Sequence, residues 1–196
     1  MASSLADNTQ SSFDTETLLK RSSGLQFDFA QFFSGHTRAS GWFSDRFGKP
    51  RRHFCGDFYG SSSDDTFRLD ENLYYTDGVT ESKVWEIKIS ESGIFTAESE
   101  SLLNGAHGFI QGDTLRMKYS MRIKIDTNRY WDLDMKDTMV LQPDGSLHNT
   151  VQVYKWGIRI GTVSSQYQHH DGSDCCASMI MKSSSSAGKR HLASVG

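Results

Sequence analysis

WDLDMKDTMVL, the stretch from Trp131 to Leu141, alternates apolar and polar residues almost without a break. Its apolar positions are Trp131, Leu133, Met135, Met139 and Leu141. This period of two predicts a β-strand with one buried face. Asp137 takes the position on that face where an apolar residue should stand. Because an unpaired buried carboxylate is costly, Asp137 is either part of an internal polar network or an acid or base in a cavity.

The same period of two continues on both sides of this strand. Strand-like stretches cover residues 38–47, 51–60, 65–76, 82–90, 93–101, 105–111, 114–126, 129–141, 146–155 and 158–168. Turn signals such as Asp77-Gly78 and Asn104-Gly105 separate them, which is typical of an antiparallel meander. We therefore predict an all-β fold, a single antiparallel up-and-down, lipocalin-like barrel of about 8–10 strands, because closure removes the exposed sheet edges.

The segment before the strands has a helical period. Leu25, Phe29, Phe32 and Phe33 share one helix face, and Ser34-Gly35 can end the helix. We expect this short helix to close one barrel end. Residues 1–23 are expected to be a disordered polar tail, 24–168 the lipocalin-like barrel domain, and 169–196 a Ser-rich disordered tail.

Composition limits the class of protein. The chain has 196 residues and a formal net charge of −3, which gives no electrostatic reason to expect nucleic acid or an anionic membrane surface as partner. No apolar run reaches the ~20 residues of a membrane span. Residues 1–20 lack a signal-like apolar segment, so a soluble, cytoplasmic protein is expected. Cys55, Cys175 and Cys176 make an odd count, which favours free thiols in a reducing compartment.

Two other apolar faces carry a polar intruder. Glu71 interrupts a face formed by Phe67, Leu69, Leu73 and Tyr75, and Asn149 interrupts one formed by Leu147, Val151 and Val153. Arg46 joins this interior set if Trp42 marks the inner face of its strand. An Arg between Glu71 and Asp137 would offset their desolvation, whereas an unpaired carboxylate would have a raised pKa and could act as general acid or base.

The remaining motifs indicate neither a cofactor nor a metal. The sequence shows no nucleophile elbow, phosphate loop or dinucleotide fingerprint. His169, His170, Asp171 and the cysteines near the C-terminus lack the spacing of a metal site. The oligomeric state stays open.

Four stretches carry a resemblance to a known family. They are residues 29–35 (FAQFFSG), 41–54 (GWFSDRFGKPRRHF), 69–85 (LDENLYYTDGVTESKVW) and 137–161 (DTMVLQPDGSLHNTVQVYKWGIRIG). Over roughly residues 25–168 the chain resembles the bacterial domain of unknown function 3833 family, described as putative lipoproteins with a lipocalin-like (calycin) barrel. The chain departs from that family in lacking the lipidated Cys and in having Lys136-Asp137-Thr138 where the family tends to carry Asp-Asp-Trp.

Three functional hypotheses follow. The first is a barrel that binds a small, largely apolar ligand, with Arg46, Glu71, Asp137 and Asn149 orienting a polar group. Its predicted wall is Phe67, Leu69, Trp85, Tyr119, Met121, Trp131 and Met135. The second is an isomerase or cyclase in which Asp137 or Glu71 is the general acid or base, and Arg46 or Asn149 polarises a carbonyl. The third is a packed barrel without a ligand that acts by contacts through its surface or its tails.

Overall fold

The computed structural model describes residues 24–126, 128–172 and Cys176. In these residues one short helix, α1 (Phe29–Phe33), precedes ten strands. The strands are β1 (Gly35–Asp45), β2 (Pro50–Ser63), β3 (Thr66–Tyr75), β4 (Thr80–Ile89), β5 (Ile94–Glu98), β6 (Leu102–Gln111), β7 (Thr114–Asp126), β8 (Arg129–Leu141), β9 (Leu147–Lys155) and β10 (Ile158–His169).

The strands form one closed barrel in which each strand pairs with its neighbours in the chain. β1 closes the barrel against β10, antiparallel, from Thr37 opposite His169 to Asp45 opposite Gly161. The all-β, up-and-down architecture predicted from the alternation is confirmed. Because successive strands reverse direction, the β1–β2, β3–β4, β5–β6, β7–β8 and β9–β10 turns lie at one end, which we call the mouth. The other turns and α1 lie at the opposite end, which we call the helix end.

Alternation on β8 is as the sequence predicts. Leu133, Met135, Asp137 and Met139 are buried, and the intervening residues Asp132, Asp134 and Lys136 are exposed. The inner side chains form two packed clusters, one that includes the α1 phenylalanines and one between β7, β8 and β9. The polar interruption of β8 therefore lies inside the barrel.

α1 closes the helix end, but it is shorter than the sequence predicts. The Asp28 carboxylate caps the helix by accepting the N–H of Gln31 at 2.9 Å. Leu25 is exposed, so the expectation that it belongs to the buried helix face is wrong. Phe27 is buried in its place, because its N–H donates to the carbonyl of Gly112 in the β6–β7 turn and holds the preceding segment extended.

The helix sits directly on the barrel wall. The ring centroid of Phe29 lies 5.3 Å from that of Phe95, and that of Phe33 lies 5.6 Å from that of Tyr167. Gly60 on β2 permits this close approach, since a Cβ at that position would collide with the carbonyl oxygen of Phe33. Aromatic packing at the helix end thus seals one side of the barrel interior.

Two cysteines are paired, contrary to the expectation of free thiols. Cys55 points outward on β2 and forms a disulfide with Cys176, with 5.6 Å between the Cα atoms. The N–H of Cys176 also donates to the carboxylate of buried Asp57, at 2.8 Å. The sequence did not indicate this pairing, because an odd number of cysteines shows no disulfide pattern and the two paired positions are 121 residues apart. Residues 1–23, 173–175 and 177–196 lie outside the described residues. They include Cys175, the whole predicted N-terminal tail and most of the predicted C-terminal tail.

Replacing Cys55 by Ser is expected to lower the free energy of unfolding by about 2–5 kcal/mol, because the cross-link closes a long loop. The midpoint of urea denaturation, with and without a reductant, measures the effect. Cys175→Ser is the matched control and should leave the midpoint and its sensitivity to the reductant unchanged. A wild-type midpoint that does not move on reduction would contradict the pairing.

Helices in the described part of the chain are all too short or too polar to cross a membrane.

Candidate functional site

The barrel interior contains a cavity of about 400 Å³. It extends from Phe29 and Phe33 of α1 to Phe43 and Trp131, which lie close to the mouth. Of the predicted wall residues, six line it: Leu69, Trp85, Tyr119, Met121, Trp131 and Met135. Phe67 does not appear among the described lining residues, because its ring packs against Phe29 of α1, 5.7 Å between centroids. The binding role of the lining residues stays a prediction.

Asp137 anchors a polar cluster in the deeper half of the cavity. One carboxylate oxygen accepts a hydrogen bond from the side-chain amide of Asn149, and the other accepts one from the Tyr119 hydroxyl at 3.3 Å. Asn149 also donates to the carbonyl of Thr138 at 3.2 Å and accepts from the Ser165 hydroxyl at 3.3 Å. The structure therefore brings the predicted residues Asp137 and Asn149 into direct contact.

Burial changes the chemistry of this cluster. Asp137 is 4% exposed, and desolvation of its carboxylate raises its pKa to about 7, against the hydrogen bonds from Asn149 and Tyr119, which lower it. The nearby charge of Glu71 raises it further. Burial also raises the pKa of the Tyr119 hydroxyl well above its ordinary value. Near neutral pH, Asp137 can accordingly either donate or accept a proton, while Tyr119 acts as a hydrogen-bond donor.

Glu71 belongs to a second polar group on β3 and β4. Its carboxylate accepts a hydrogen bond from the indole N–H of Trp85 at 2.7 Å and lies 3.6 Å from the ammonium of Lys83. Lys83 is also bonded to Glu81 at 3.2 Å. Burial lowers the pKa of Lys83, but the two carboxylates outweigh it and raise the pKa overall. The Glu71 carboxylate is thus held by the ammonium of Lys83 and the indole N–H of Trp85. Its cationic partner is a Lys where the sequence had suggested an Arg.

Arg46 does not reach the cavity, so its predicted place in the interior set is wrong. β1 ends at Asp45, whose carboxylate accepts the N–H groups of Phe47 and Lys49 and forms a turn there. Arg46 is exposed in this turn, with its guanidinium 4.6 Å from the centroid of the Phe47 ring. Phe43, not Trp42, marks the inner face, because Phe43 lines the cavity and Trp42 is exposed on the outer wall.

Arg52 is the arginine that lines the cavity near the mouth. Its guanidinium lies 3.5 Å from the centroid of the Tyr75 ring and makes two hydrogen bonds to Asp77, at 2.7 and 3.1 Å. Sequence reasoning missed Arg52 because the phase of β2 was not assigned. It also missed Lys83 and Glu81, which lie two and four positions before Trp85 on the same inner face of β4. The alternation of this strand could therefore have identified them.

The comparisons with known proteins agree with this architecture. No curated protein matches the chain. A similar solved structure is the S-type phycobiliprotein lyase CPES from Guillardia theta, with a TM-score of 0.53 and 8% identity, covering 74% of this chain and 92% of that one. Another is a protein with unknown function from the DUF3598 family of Nostoc punctiforme PCC 73102, with a TM-score of 0.52 and 10% identity.

The second of these alignments covers 76% of this chain, which spans about half (51%) of the Nostoc protein. At such low identity both similarities show the fold alone. The sequence itself matches the family described as "Protein of unknown function (DUF3833)" over residues 10–169. Because this match includes the whole barrel with its cavity, the chain belongs to the DUF3833 family.

Proposed function

We propose that the barrel binds a small, largely apolar molecule in its interior. The observation that carries the proposal is the cavity of about 400 Å³ whose wall is mainly aromatic, aliphatic and methionine side chains. Ligand sites in proteins are typically about 300–1,000 Å³ and combine an apolar wall with a few placed polar groups. Burial of apolar surface in such a site supplies most of the binding free energy.

Asp137 is the group that orients the ligand in this proposal. Each of its carboxylate oxygens accepts one hydrogen bond, from Asn149 or Tyr119, although an oxygen of this type has about two acceptor sites. The remaining capacity favours a ligand that has a hydroxyl or amine at its deep end. In its protonated form Asp137 would instead donate to a ligand carbonyl. The ligand therefore combines a hydrocarbon body with one polar group.

The likeness of fold to a phycobiliprotein lyase adds support for binding of a small molecule by a barrel of this type. The nature of the ligand rests on the cavity wall of this chain and not on that neighbour.

Native mass spectrometry of the full chain, purified from the organism that makes it, tests the proposal. We expect one small molecule per chain, retained in the gas phase and released on denaturation. The released compound should be mostly hydrocarbon with one polar group. A chain that carries no compound, and to which neither medium-chain alcohols nor medium-chain acids bind, would contradict the proposal.

A second candidate function is proton transfer on such a molecule, as an isomerase or cyclase would perform. The observation that favours it is the pKa of about 7 at Asp137, inside a cavity that a substrate could enter. Asp137 would be the acid or base, Tyr119 and Asn149 would position it, and Glu71, already held by Lys83, would set the local charge. Incubation of the released compound with wild type and with Asp137→Asn distinguishes the two functions. Conversion by wild type alone favours the enzyme, and no conversion by either chain favours the binding protein.

A further inference from the structure

The mouth of the barrel carries large apolar side chains that point into solvent. Trp156 is 86% exposed and Phe47 is 80% exposed, each at the tip of a turn. Beside the other mouth turns, Leu103 next to the β5–β6 turn is only 38% exposed. Val79 in the β3–β4 turn, Tyr130 beside the β7–β8 turn and Ile158 beside the β9–β10 turn are 46–60% exposed. In order around the barrel, the turns that bear them are neighbours, because β1 pairs with β10. They form an arc of exposed apolar residues along the rim, and a patch of this kind is typical of an interaction site.

Trp156 occupies a position that disfavours it. It and Gly157 form a two-residue hairpin turn, with φ of +52° and +77°. Turns with positive φ at both positions strongly prefer Asn-Gly, and a bulky residue with positive φ is an outlier. An exposed tryptophan at such a position lowers the stability of the turn relative to Asn. A role for the side chain outside the fold would account for its presence.

The charges of the arc are segregated. The carboxylates at the β1–β2 and β3–β4 turns are engaged internally, since Asp45 lies 2.6 Å from Arg51 and Asp77 lies 2.7 Å from Arg52. In contrast, Arg46, Lys49 and Arg159 are exposed and make no ion pair with any residue that the structure describes. Exposed Glu100 lies in the β5–β6 turn, the mouth turn whose flanking apolar residue, Leu103, is the least exposed. The apolar arc is therefore bordered by cations, although the whole chain has a net charge of −3.

We propose that this arc docks the barrel, mouth first, on the surface of a bilayer that contains anionic phospholipid. Trp156 would enter the headgroup region, where amphipathic aromatic rings are stabilised, and the apolar ring of Phe47 would leave water beside it. Arg46, Lys49 and Arg159 would lie at the phosphate groups, each attracted to the anionic surface. Because the cavity reaches this end of the barrel, an apolar molecule could pass between bilayer and cavity with little exposure to water. The docking itself does not depend on which ligand the cavity takes.

Co-sedimentation of the full chain with vesicles tests the proposal. We expect binding to vesicles of phosphatidylcholine mixed with phosphatidylglycerol, and binding at least about tenfold weaker to phosphatidylcholine alone, since the cations are then unmatched. Added salt should weaken the binding by screening. If the chain binds neither vesicle, or binds both equally at every salt concentration, the proposal is overturned.

Trp156→Asn separates docking from folding. This substitution should raise the melting temperature, because Asn suits the turn, and at the same time should lower the vesicle partition coefficient at least about tenfold. Phe109→Ser is the matched control, since Phe109 is an exposed aromatic residue at the other end of the barrel, and it should leave the partition coefficient unchanged. Equal losses in both variants would overturn the proposal. So would a dimer that Trp156→Asn dissociates, because the arc would then bind a second copy of the chain.

Discussion

Between about pH 5 and pH 8, the free energy of unfolding of the wild-type chain is expected to fall by about 2–3 kcal/mol relative to that of Asp137→Asn. The reason is that the pKa of Asp137 is about 7 in the folded chain, against 3.8 for an ordinary Asp. Below the lower value both states hold the proton, so the stabilisation of the protonated form is fully present. Between the two values only the folded state holds it, and the stability falls as pH rises through about 7.

Urea denaturation at several pH values measures this difference. Asp132→Asn is the matched control, because Asp132 lies on the same strand but on the outer face, hydrogen-bonded to Arg122 at 2.7 Å. Because that variant keeps Asp137, its stability should fall with rising pH as much as that of the wild type. If the curves of wild type and Asp137→Asn are parallel from about pH 5 to pH 8, Asp137 does not titrate near neutrality. The acid–base candidate function would then lose its support.

Val151→Trp is expected to lower the affinity for an apolar ligand about a hundredfold, a loss of about 3 kcal/mol. Val151 is buried in the cavity wall directly opposite Asp137 in the β8–β9 register. A larger side chain there occupies the space beside the carboxylate that the proposed ligand needs. Since the added volume enters a cavity rather than a packed core, the loss of stability should stay within about 1–3 kcal/mol.

Isothermal titration with the compound released from the native chain measures the affinity. Val84→Trp is the matched control, because Val84 is exposed on the outer face of β4. This variant should bind with the wild-type affinity. Undiminished binding by folded Val151→Trp would mean that the ligand site lies elsewhere on the chain.

The barrel could be predicted from sequence because alternation is a local signal. On β8 the apolar residues around Asp137 set its phase, and the same holds for Glu71 on β3 and Asn149 on β9. The phase failed at Arg46, where the strand ends in a turn stabilised by Asp45. A period of two carries no information about where pairing stops.

The partners of the polar groups could not be predicted, because they depend on register between strands. Tyr119 reaches Asp137 from β7, and Trp85 reaches Glu71 from β4. Both residues were expected only as apolar wall. The disulfide between Cys55 and Cys176 likewise joins two residues that are far apart in sequence. Local patterns thus predicted much of the barrel interior, with an error at Arg46 and omissions at Arg52, Lys83 and Glu81, but not which residues bond.

The position of a bound apolar molecule tests the central claim most directly, and the tryptophans allow it to be measured. Trp85 lines the cavity, whereas Trp42 is exposed on the outer wall. Two triple Trp→Phe variants, one retaining only Trp85 and the other only Trp42, can be titrated with a brominated decanol, whose bromine quenches fluorescence on contact. Saturable quenching of Trp85, with Trp42 unaffected, is the result that we predict. Equal quenching of both, or no saturable quenching of Trp85, would contradict binding inside the barrel.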